Sequence, residues 1–260
     1  MSETTTMSKI RIARMNDQAL WRVGLDEPDG NVIDSTMTAE LTEVFRAAAT
    51  EPRLKAIVLT AQGEDFSFGA SVEEHQPASV ADMLNGFHGL FRQMAETSVP
   101  VLSAVRGKCL GGGMELVTFC QRVFAHPDAR FGQPEIKLGV FAPVASAILA
   151  DRVGRGAADD LLLSGRTIKC PEAHEMRLVD AIEEHPEAAA LSWAEKRLLP
   201  RSASSLRLAT RAARMELMQR FEILLPKLER LYLGELMATR DAVEGIEAFM
   251  EKRKPSWSNA

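Results

Sequence analysis

The sequence predicts an α/β core followed by a helical C-terminal region. Two nearly continuous apolar runs, LKAIVLT at residues 54–60 and VPVLSAVRG at 99–107, are typical of strands that are buried on both faces of a sheet. A helical pattern at 79–96, opened by the capping sequence SVAD, lies between them. A strand, a loop, a helix and a second strand in this order indicate a parallel sheet with right-handed crossover connections.

The pattern of a β-hairpin opens the chain. KIRIARM at residues 9–15 and ALWRVGL at 19–25 alternate apolar and polar residues, and the dipeptide ND between them fits a tight turn. We expect residues 1–8 to form a disordered lead, because they are polar and lack the apolar stretch of a targeting signal. After EPDGN, apolar residues recur at helical spacing behind two candidate N-caps, Asp34 and Ser35.

The patterns from about residue 154 onward are helical, and the longest covers residues 202–237. We expect Pro226 to split or kink this helix, because proline removes a backbone donor and clashes with the preceding turn. A helical region of this size has to bury its apolar stripe against the core or against another subunit. The sequence therefore divides into a lead at 1–8, an α/β core at 9–200 and a helical region at 201–260.

The composition limits the classes of function. The 260 residues are 46% apolar and 26% charged, which is typical of a soluble globular protein. The net charge of −5 disfavours a nucleic-acid surface, and no run of about 18 apolar residues predicts a membrane span. Three cysteines at no metal-ligand spacing favour free thiols in a cytoplasmic protein, and we expect Cys109 to be a small buried apolar residue.

Three consecutive glycines at 111–113 precede Glu115 in the stretch RGKCLGGGMELV. Each would cost about 1 kcal/mol relative to alanine inside a helix, so the run is more typical of a turn or of a close backbone approach. On its own it can be a strand-to-helix turn that contacts nothing. Glu115 can likewise be a surface carboxylate near a helix N-terminus, although its apolar flanks favour a lined cleft.

Four segments together resemble the crotonase (enoyl-CoA hydratase/isomerase) superfamily in order and spacing: FSFGAS at 66–71, RGKCLGGGMEL at 106–116, FGQPEIKLG at 131–139 and EGIEAFMEKRKPSW at 244–257. The resemblance extends over nearly the whole chain. It implies a spiral core of ββα units, and a C-terminal helical region that assembles a homotrimer or a dimer of trimers. It also implies a cytoplasmic hydro-lyase that acts on an acyl-CoA thioester without a cofactor or a metal.

The resemblance implies roles for individual residues. The backbone amides of Ala70 and Gly112 match the two donors of an oxyanion hole, which stabilises the enolate charge that develops on a thioester oxygen. Glu115 and Glu135 match the paired glutamates that hold water and transfer protons in hydratases, which requires their pKa values to be set apart. Isomerases and dehalogenases commonly keep only one of the pair. The implied substrate-binding and CoA-binding positions are Phe68, Gly69, Ser71, Gly111, Phe141 and Lys252.

Departures from the family pattern bear on the acyl group. Many relatives have an aspartate at the position of Ser71, and a glycine-rich stretch where this chain has VFAPVASAIL at 140–149. The bulkier residues would reshape and stiffen the acyl end of the pocket, which suits a ring better than a straight chain. The alternative is drift in a helix start with no change of substrate.

The CoA end departs from the pattern as well. The basic residue that relatives carry near the end of the second strand is absent, and Glu27 and Asp29 lie there instead. Because CoA phosphates need a positive partner, another cation has to replace the missing one. Lys252 is the first candidate, either within its own chain or from a neighbouring subunit, and Arg22 and Lys108 are weaker ones.

Three functions stay open on the sequence. The first is the hydration of a conjugated cyclic dienoyl-CoA to 6-hydroxycyclohex-1-ene-1-carbonyl-CoA, as in the family members of anaerobic benzoyl-CoA degradation. The second is a general enoyl-CoA hydratase or isomerase that acts on linear acyl-CoA chains. The third is a non-catalytic acyl-CoA-binding or RNA-binding member of the fold, which the intact pair Glu115 and Glu135 and the negative net charge disfavour.

Overall fold

The computed structural model describes residues 3–260, which form two β-sheets surrounded by helices. In chain order the strands are β1 (Glu3–Thr6), β2 (Ile10–Met15), β3 (Leu20–Leu25), β4 (Ala56–Ala61), β5 (Val101–Val105), β6 (Lys108–Leu110), β7 (Arg122–Ala125), β8 (Arg130–Gly132), β9 (Thr167–Lys169) and β10 (Ala181–Ile182). The helices are α1 (Ser35–Thr50), α2 (Val80–Thr97), α3 (Gly112–Phe119), α4 (Pro143–Val153), α5 (Arg155–Ser164), α6 (Cys170–Glu175), α7 (Pro186–Arg197), α8 (Ala203–Gly234) and α9 (Arg240–Met250). Short 3-10 helices lie at Glu73–His75, Pro134–Leu138 and Leu236–Ala238.

The larger sheet has the strand order β1-β2-β3-β4-β5-β7-β10. β1, β2 and β3 pair antiparallel, and each later neighbour pairs in parallel. The predicted hairpin and the predicted parallel sheet are both confirmed. Residues of β4 alternate between two apolar clusters, since Ile57 and Leu59 pack on the side of α1 and α2 whereas Ala56 and Val58 pack on the side of α7. Helices thus cover both faces, which explains the continuous apolar run.

The prediction of a disordered lead is wrong for part of its length. Residues Glu3–Thr6 form β1 and pair with β2 in the register Glu3↔Arg14 to Thr6↔Arg11. Three successive threonines suit this edge position, because β-branched side chains favour extended backbone. Residues 1 and 2 of the predicted lead lie outside the described residues.

Of the two effects expected of Pro226, the split is wrong, because α8 continues through it from Ala203 to Gly234, whereas a kink stays a prediction. A proline in a helix interior costs about 3 kcal/mol. Phe221 and Leu225 on one side of the proline and Tyr232 on the other are fully buried. Each such burial contributes roughly 1.5–3 kcal/mol, so the packing of α8 outweighs the local cost.

One of the two predicted helix starts has its side-chain cap. Asp34 accepts a hydrogen bond from the amide of Met37 at 2.9 Å and caps α1. Ser79 makes no such cap for α2, because its hydroxyl donates instead to the carbonyl of Glu74 at 3.1 Å.

Among the described helices, none is long and apolar enough to cross a membrane.

The smaller sheet has the order β6-β8-β9, with β6 and β8 parallel and β8 and β9 antiparallel. The loop that follows β4 joins its edge, because Ser67 pairs with Cys109 in parallel and the carbonyl of Ser67 accepts the amide of Leu110 at 2.9 Å. Four separate segments of the chain therefore lie side by side here: the Ser67 loop, β6, β8 and β9.

Candidate active site

The parallel pairing of β6 with β8 brings Glu115 and Glu135 to the same end of the smaller sheet. Leu110 lies opposite Gly132, and each strand leads directly into a helical segment. The amide of Gly111 donates to the carbonyl of Gly132 at 2.9 Å just beyond the last pair. Glu115 lies in the first turn of α3 and Glu135 in the first turn of the 3-10 helix Pro134–Leu138, so the two carboxyls meet although they are distant in sequence.

Gly111 lies between the two glutamates. Its carbonyl accepts the amide of Glu115 at 3.0 Å, and a Cβ built on it would come within 2.6 Å of Oε1 of Glu135. Its φ of +49° is also one that residues with a side chain rarely adopt. Any other residue here would displace the carboxyl of Glu135, so this position requires a glycine.

The side chain of Glu115 extends from α3 and is buried against the first turn of α4. Its side chain is 3% exposed, and its Oε1 accepts the amide of Ala145 at 2.7 Å. α4 begins with Pro143, and Ala142 before it offers no side-chain cap, so the carboxyl of Glu115 satisfies an amide of the first turn. Burial raises the pKa of Glu115, although the hydrogen bonds from Ala145 and Val144 act in the opposite direction.

Glu135 shares this environment from the other side. Burial raises its pKa, and the nearby charge of Glu115 raises it further. The side chain of Gln133 is buried beside Glu135. When its amide nitrogen faces Glu135, it donates to both carboxyl oxygens of Glu135 at 3.1 Å. Two carboxyls that oppose each other's ionisation titrate as a pair, so near neutral pH the pair holds a proton as well as a charge.

Two backbone amides lie side by side next to this pair. A Cβ built on Gly112 would be 3.1 Å from the nitrogen of Ala70, and one built on Gly69 would be 3.2 Å from the nitrogen of Gly112. Gly112 opens α3, where the first amides have no acceptor within the helix. Among the described hydrogen bonds the amides of Ala70 and Gly112 have no acceptor, whereas the amide of Ser71 donates to Ile33 at 3.1 Å.

Ser67 and Asn31 hold the loop that carries Ala70. The buried hydroxyl of Ser67 donates to the carbonyl of Asn31 at 2.8 Å and accepts the amide of Gly69 at 3.0 Å. The side-chain amide of Asn31 in turn donates to the carbonyls of Gln62 and Asp65, each at 2.9 Å. Neither residue was predicted to have this role. A Cβ on Gly113 would lie 2.6 Å from Cβ of Ser67, so the third glycine of the run is required by this contact.

Phe68 lies at the mouth of the site. Its side chain is 41% exposed, its ring packs against Gly30, and Nζ of Lys108 lies 4.9 Å from the ring centre. This cation–π contact gives Lys108 a place that the sequence pattern left unexplained. A cleft of about 680 Å³ adjoins Phe68, and its carboxylates are Asp26, Glu27, Asp29, Glu64 and Asp65.

The other two candidate cations lie elsewhere. Arg22 already forms an ion pair with Glu187 of α7 at 2.7 Å, and its role as a CoA partner stays a prediction. Lys252 is exposed just after α9, and the described contacts do not join it to the glutamates. α9 itself supports the turn of Glu135, since Gly245 packs against the carbonyl of Leu138.

Phe141 lies next to the segment that is bonded to Glu135, and its place at the acyl end stays a prediction. It directly follows Val140, whose amide donates to the carbonyl of Glu135 at 3.2 Å. Its ring meets the ring of Tyr232 from α8 edge-on, with 5.2 Å between the centres. Tyr232 was not predicted from the sequence, because a tyrosine on a long helical stripe gives no signal of its own.

Metal and thiol chemistry find no support among residues 3–260. No group of three or more histidine, cysteine, aspartate or glutamate side chains there could hold a metal ion. Cys109 is fully buried, and burial raises the pKa of its thiol well above the usual range. Its position beside the glycine run therefore gives the site no reactive thiolate.

Comparisons with known proteins agree with this geometry. The family model for Enoyl-CoA hydratase/isomerase matches residues 15–260. The chain is 49% identical over 259 residues, 100% of both chains, to a cyclohexa-1,5-dienecarbonyl-CoA hydratase from Thauera aromatica. It is 32% identical over 257 residues, covering 96% of this chain and 99% of the relative, to a 2,3-dehydroadipyl-CoA hydratase from Escherichia coli (strain K12). The crystal structure of an enoyl-CoA hydratase from Mycobacterium avium has the same fold, with a TM-score of 0.86, 24% identity and coverage of 97% of this chain and 100% of that one.

Replacing Glu115 by Gln should improve stability relative to wild type more at pH 8 than at pH 5. Burial raises the pKa of Glu115 to about 7 in the folded protein, whereas an unfolded glutamate titrates near pH 4.3. The folded state then binds a proton that the unfolded state has lost, so wild-type stability falls as the pH rises through this window. We expect a difference on the order of 2 kcal/mol between the two pH values from urea unfolding at one protein concentration.

The matched control is Glu175→Gln, which changes an exposed glutamate at the end of α6. Its effect should be small and should not depend on pH. An effect of Glu115→Gln that is equally independent of pH would contradict the raised pKa.

Proposed function

Since this chain belongs to the enoyl-CoA hydratase/isomerase family, has the crotonase fold and is a hydro-lyase for acyl-CoA thioesters, we propose that it hydrates a conjugated cyclic dienoyl-CoA. The reaction converts cyclohexa-1,5-diene-1-carbonyl-CoA to 6-hydroxycyclohex-1-ene-1-carbonyl-CoA, a step of anaerobic benzoyl-CoA degradation. The observation that carries the proposal is the pair of buried carboxyls of Glu115 and Glu135 beside the free amides of Ala70 and Gly112. The Thauera aromatica relative, at 49% identity, supports the cyclic substrate.

The proposed mechanism uses each of these groups once. The ionised carboxyl of the pair takes a proton from water as the water oxygen bonds to the β carbon. The displaced electron pair moves through the diene to the thioester oxygen, which the amides of Ala70 and Gly112 and the N-terminus of α3 stabilise. The protonated carboxyl then delivers its proton to the far diene carbon, as the enolate collapses and the remaining double bond shifts to the ring carbon that carries the thioester. One molecule of water is added, and no electrons are gained or lost.

We propose that no cofactor or metal takes part, because this redox-neutral addition needs only the proton transfers that the pair supplies. CoA itself belongs to the substrate. Phe68, Gly69 and Ser71 would line its path into the site, with Lys108 as the cation at the mouth. Lys252, which is exposed just after α9, would reach CoA across a subunit contact.

The acyl end supports a ring. Phe141 and Pro143 stand where relatives carry flexible glycines, and both are fixed in place: the Phe141 ring by Tyr232, and Pro143 as the first residue of α4. A stiff aromatic wall suits a flat cyclic diene. The second candidate is a general hydratase for linear chains, which the 32% identical 2,3-dehydroadipyl-CoA hydratase favours.

Steady-state kinetics with cyclohexa-1,5-diene-1-carbonyl-CoA and crotonyl-CoA separate the two candidates. We expect kcat/KM to favour the cyclic substrate by at least about 10-fold, since a pocket shaped for one apolar group commonly discriminates by 1–3 kcal/mol. A preference for crotonyl-CoA would show that the linear assignment is correct.

Glu→Gln at position 115 or 135 should lower kcat by about 100-fold or more, the usual size of an acid–base contribution. The affinity for cyclohexane-1-carbonyl-CoA, measured by calorimetry, should stay nearly unchanged. The double variant should be much less than multiplicatively worse, because the pair acts as a unit. Wild-type kcat/KM should fall at both low and high pH, since a fully protonated pair lacks the base and a fully ionised pair lacks the acid.

Glu175→Gln is again the control and should retain wild-type kcat. Near wild-type turnover in either single variant would make that glutamate a structural partner of a helix terminus rather than a catalytic group.

We propose that the protein assembles as a trimer or a dimer of trimers through its C-terminal helices. α8 exposes several large apolar side chains, among them Leu208 at 64% and Ile223 at 60%. Light scattering at micromolar concentration should give three or six subunits, and Leu208→Glu with Ile223→Glu should shift the assembly toward smaller species. Leu163→Glu, at a 74% exposed position of α5, is the control that should leave the mass unchanged. A monomeric wild type would contradict the proposal.

A further inference from the structure

Tyr232 is the one tyrosine of the sequence, and its hydroxyl is buried without a partner. The residue is 1% exposed, and its hydroxyl has no hydrogen-bond partner within the described part of the chain. A buried hydroxyl that lacks a hydrogen bond costs about 1–3 kcal/mol. Buried hydroxyls in native structures are usually hydrogen-bonded, so this one is a candidate for a hydrogen bond to a bound molecule.

The ring of Tyr232 packs against the chain segment that links the two glutamates. Tyr232 packs edge-on against Phe141, which lies between the segment bonded to Glu135 and the α4 N-terminus bonded to Glu115. Burial, and then the charges of Glu135 and Glu115, raise the pKa of the phenol. A phenol that keeps its proton next to two carboxyls acts as a hydrogen-bond donor.

The helix that carries Tyr232 is fixed one turn earlier. Glu229 accepts a hydrogen bond from the buried His88 of α2, with 2.7 Å between Oε1 and Nδ1, and lies 3.5 Å from Arg92. These contacts tie α8 to α2 and set the rotation of the helix. Tyr232 is therefore held in place by contacts that do not involve its own hydroxyl.

The chemistry of the substrate leaves one partner for this donor. A cyclic dienoyl group offers only carbon and hydrogen apart from its thioester oxygen, and that oxygen belongs to the amides of Ala70 and Gly112. The remaining oxygen is the one that is added. Resting on the proposed function, we propose that the hydroxyl of Tyr232 donates a hydrogen bond to the water oxygen that attacks the substrate, which becomes the hydroxyl of the product.

In this arrangement Tyr232 is a catalytic residue that never gives up its proton. One lone pair of the water accepts the phenol hydrogen, one water proton goes to the ionised carboxyl, and the other lone pair forms the bond to carbon. In the reverse direction the same hydrogen bond stabilises the departing oxygen. Orientation of the nucleophile by a fixed donor lowers the entropic part of the barrier.

Tyr232→Phe removes the hydroxyl and keeps the ring against Phe141. We expect kcat/KM for hydration to fall by about 10- to 100-fold, since one hydrogen bond to a reacting atom is lost. In calorimetry the variant should bind 2-hydroxycyclohexane-1-carbonyl-CoA about 10-fold more weakly than wild type does. Its affinity for cyclohexane-1-carbonyl-CoA, which has no hydroxyl, should change by less than about twofold. Leu225→Met, a volume-conserving change at a buried position of α8, is the control and should weaken neither ligand selectively.

An equal loss of affinity for both ligands, or unchanged kcat/KM, would overturn the proposal, because a packing role makes no distinction between them. Since the chain has a single tyrosine, 3-fluorotyrosine labels Tyr232 alone. The label therefore reports on this side chain in a protein that keeps its hydroxyl. Its ¹⁹F resonance should shift more with the hydroxylated ligand than with the other, and identical spectra would also overturn it. If the protein prefers crotonyl-CoA, the same calorimetry is carried out with 3-hydroxybutyryl-CoA and butyryl-CoA in place of the cyclic ligands. An error in the proposed substrate is then distinguished from an error about the role of Tyr232.

Discussion

The site depends on one backbone interaction, the parallel pairing of β6 with β8 and its continuation from the amide of Gly111 to the carbonyl of Gly132. Strand ends in a parallel pair lie at the same edge, so the segments that follow them must start together. This places the first turn of α3 beside the 3-10 helix Pro134–Leu138. The loop of Ser67 joins the same sheet from its other side, which adds the amide of Ala70. A one-residue slip in this register would separate the carboxyls from the amides.

Burial and helix termini act in opposite directions on the carboxyls that this pairing brings together. The amides of α4 stabilise the ionised form of Glu115, but removal of water from the side chain has the larger effect and raises its pKa. The charge of each glutamate then opposes ionisation of the other. A site with one charge and one proton on two adjacent carboxyls is ready to act as a base and as an acid at once.

The rest of the fold holds this small region in place. Asn31 and Ser67 fix the loop that carries Ala70 through buried hydrogen bonds, and α9 supports the turn of Glu135 through the close approach at Gly245. Tyr232 of α8 packs against Phe141. These contacts come from segments as far apart as residues 31 and 245, so the preorganisation of the site is a property of the whole chain.

The hairpin, the parallel strands and the close-approach glycines could be predicted from the sequence, because each depends on local periodicity or on backbone sterics that neighbouring residues reveal. The two glutamates could be predicted as well, through motifs that resemble those of a known family. Three outcomes required the folded structure: Arg22 pairs with Glu187, α8 continues through Pro226, and the hydroxyl of Tyr232 is buried without a partner among the described residues. Those outcomes depend on which distant side chains meet and on how much surface they bury. Such packing energies are summed over contacts between remote segments, and no short stretch of sequence contains them.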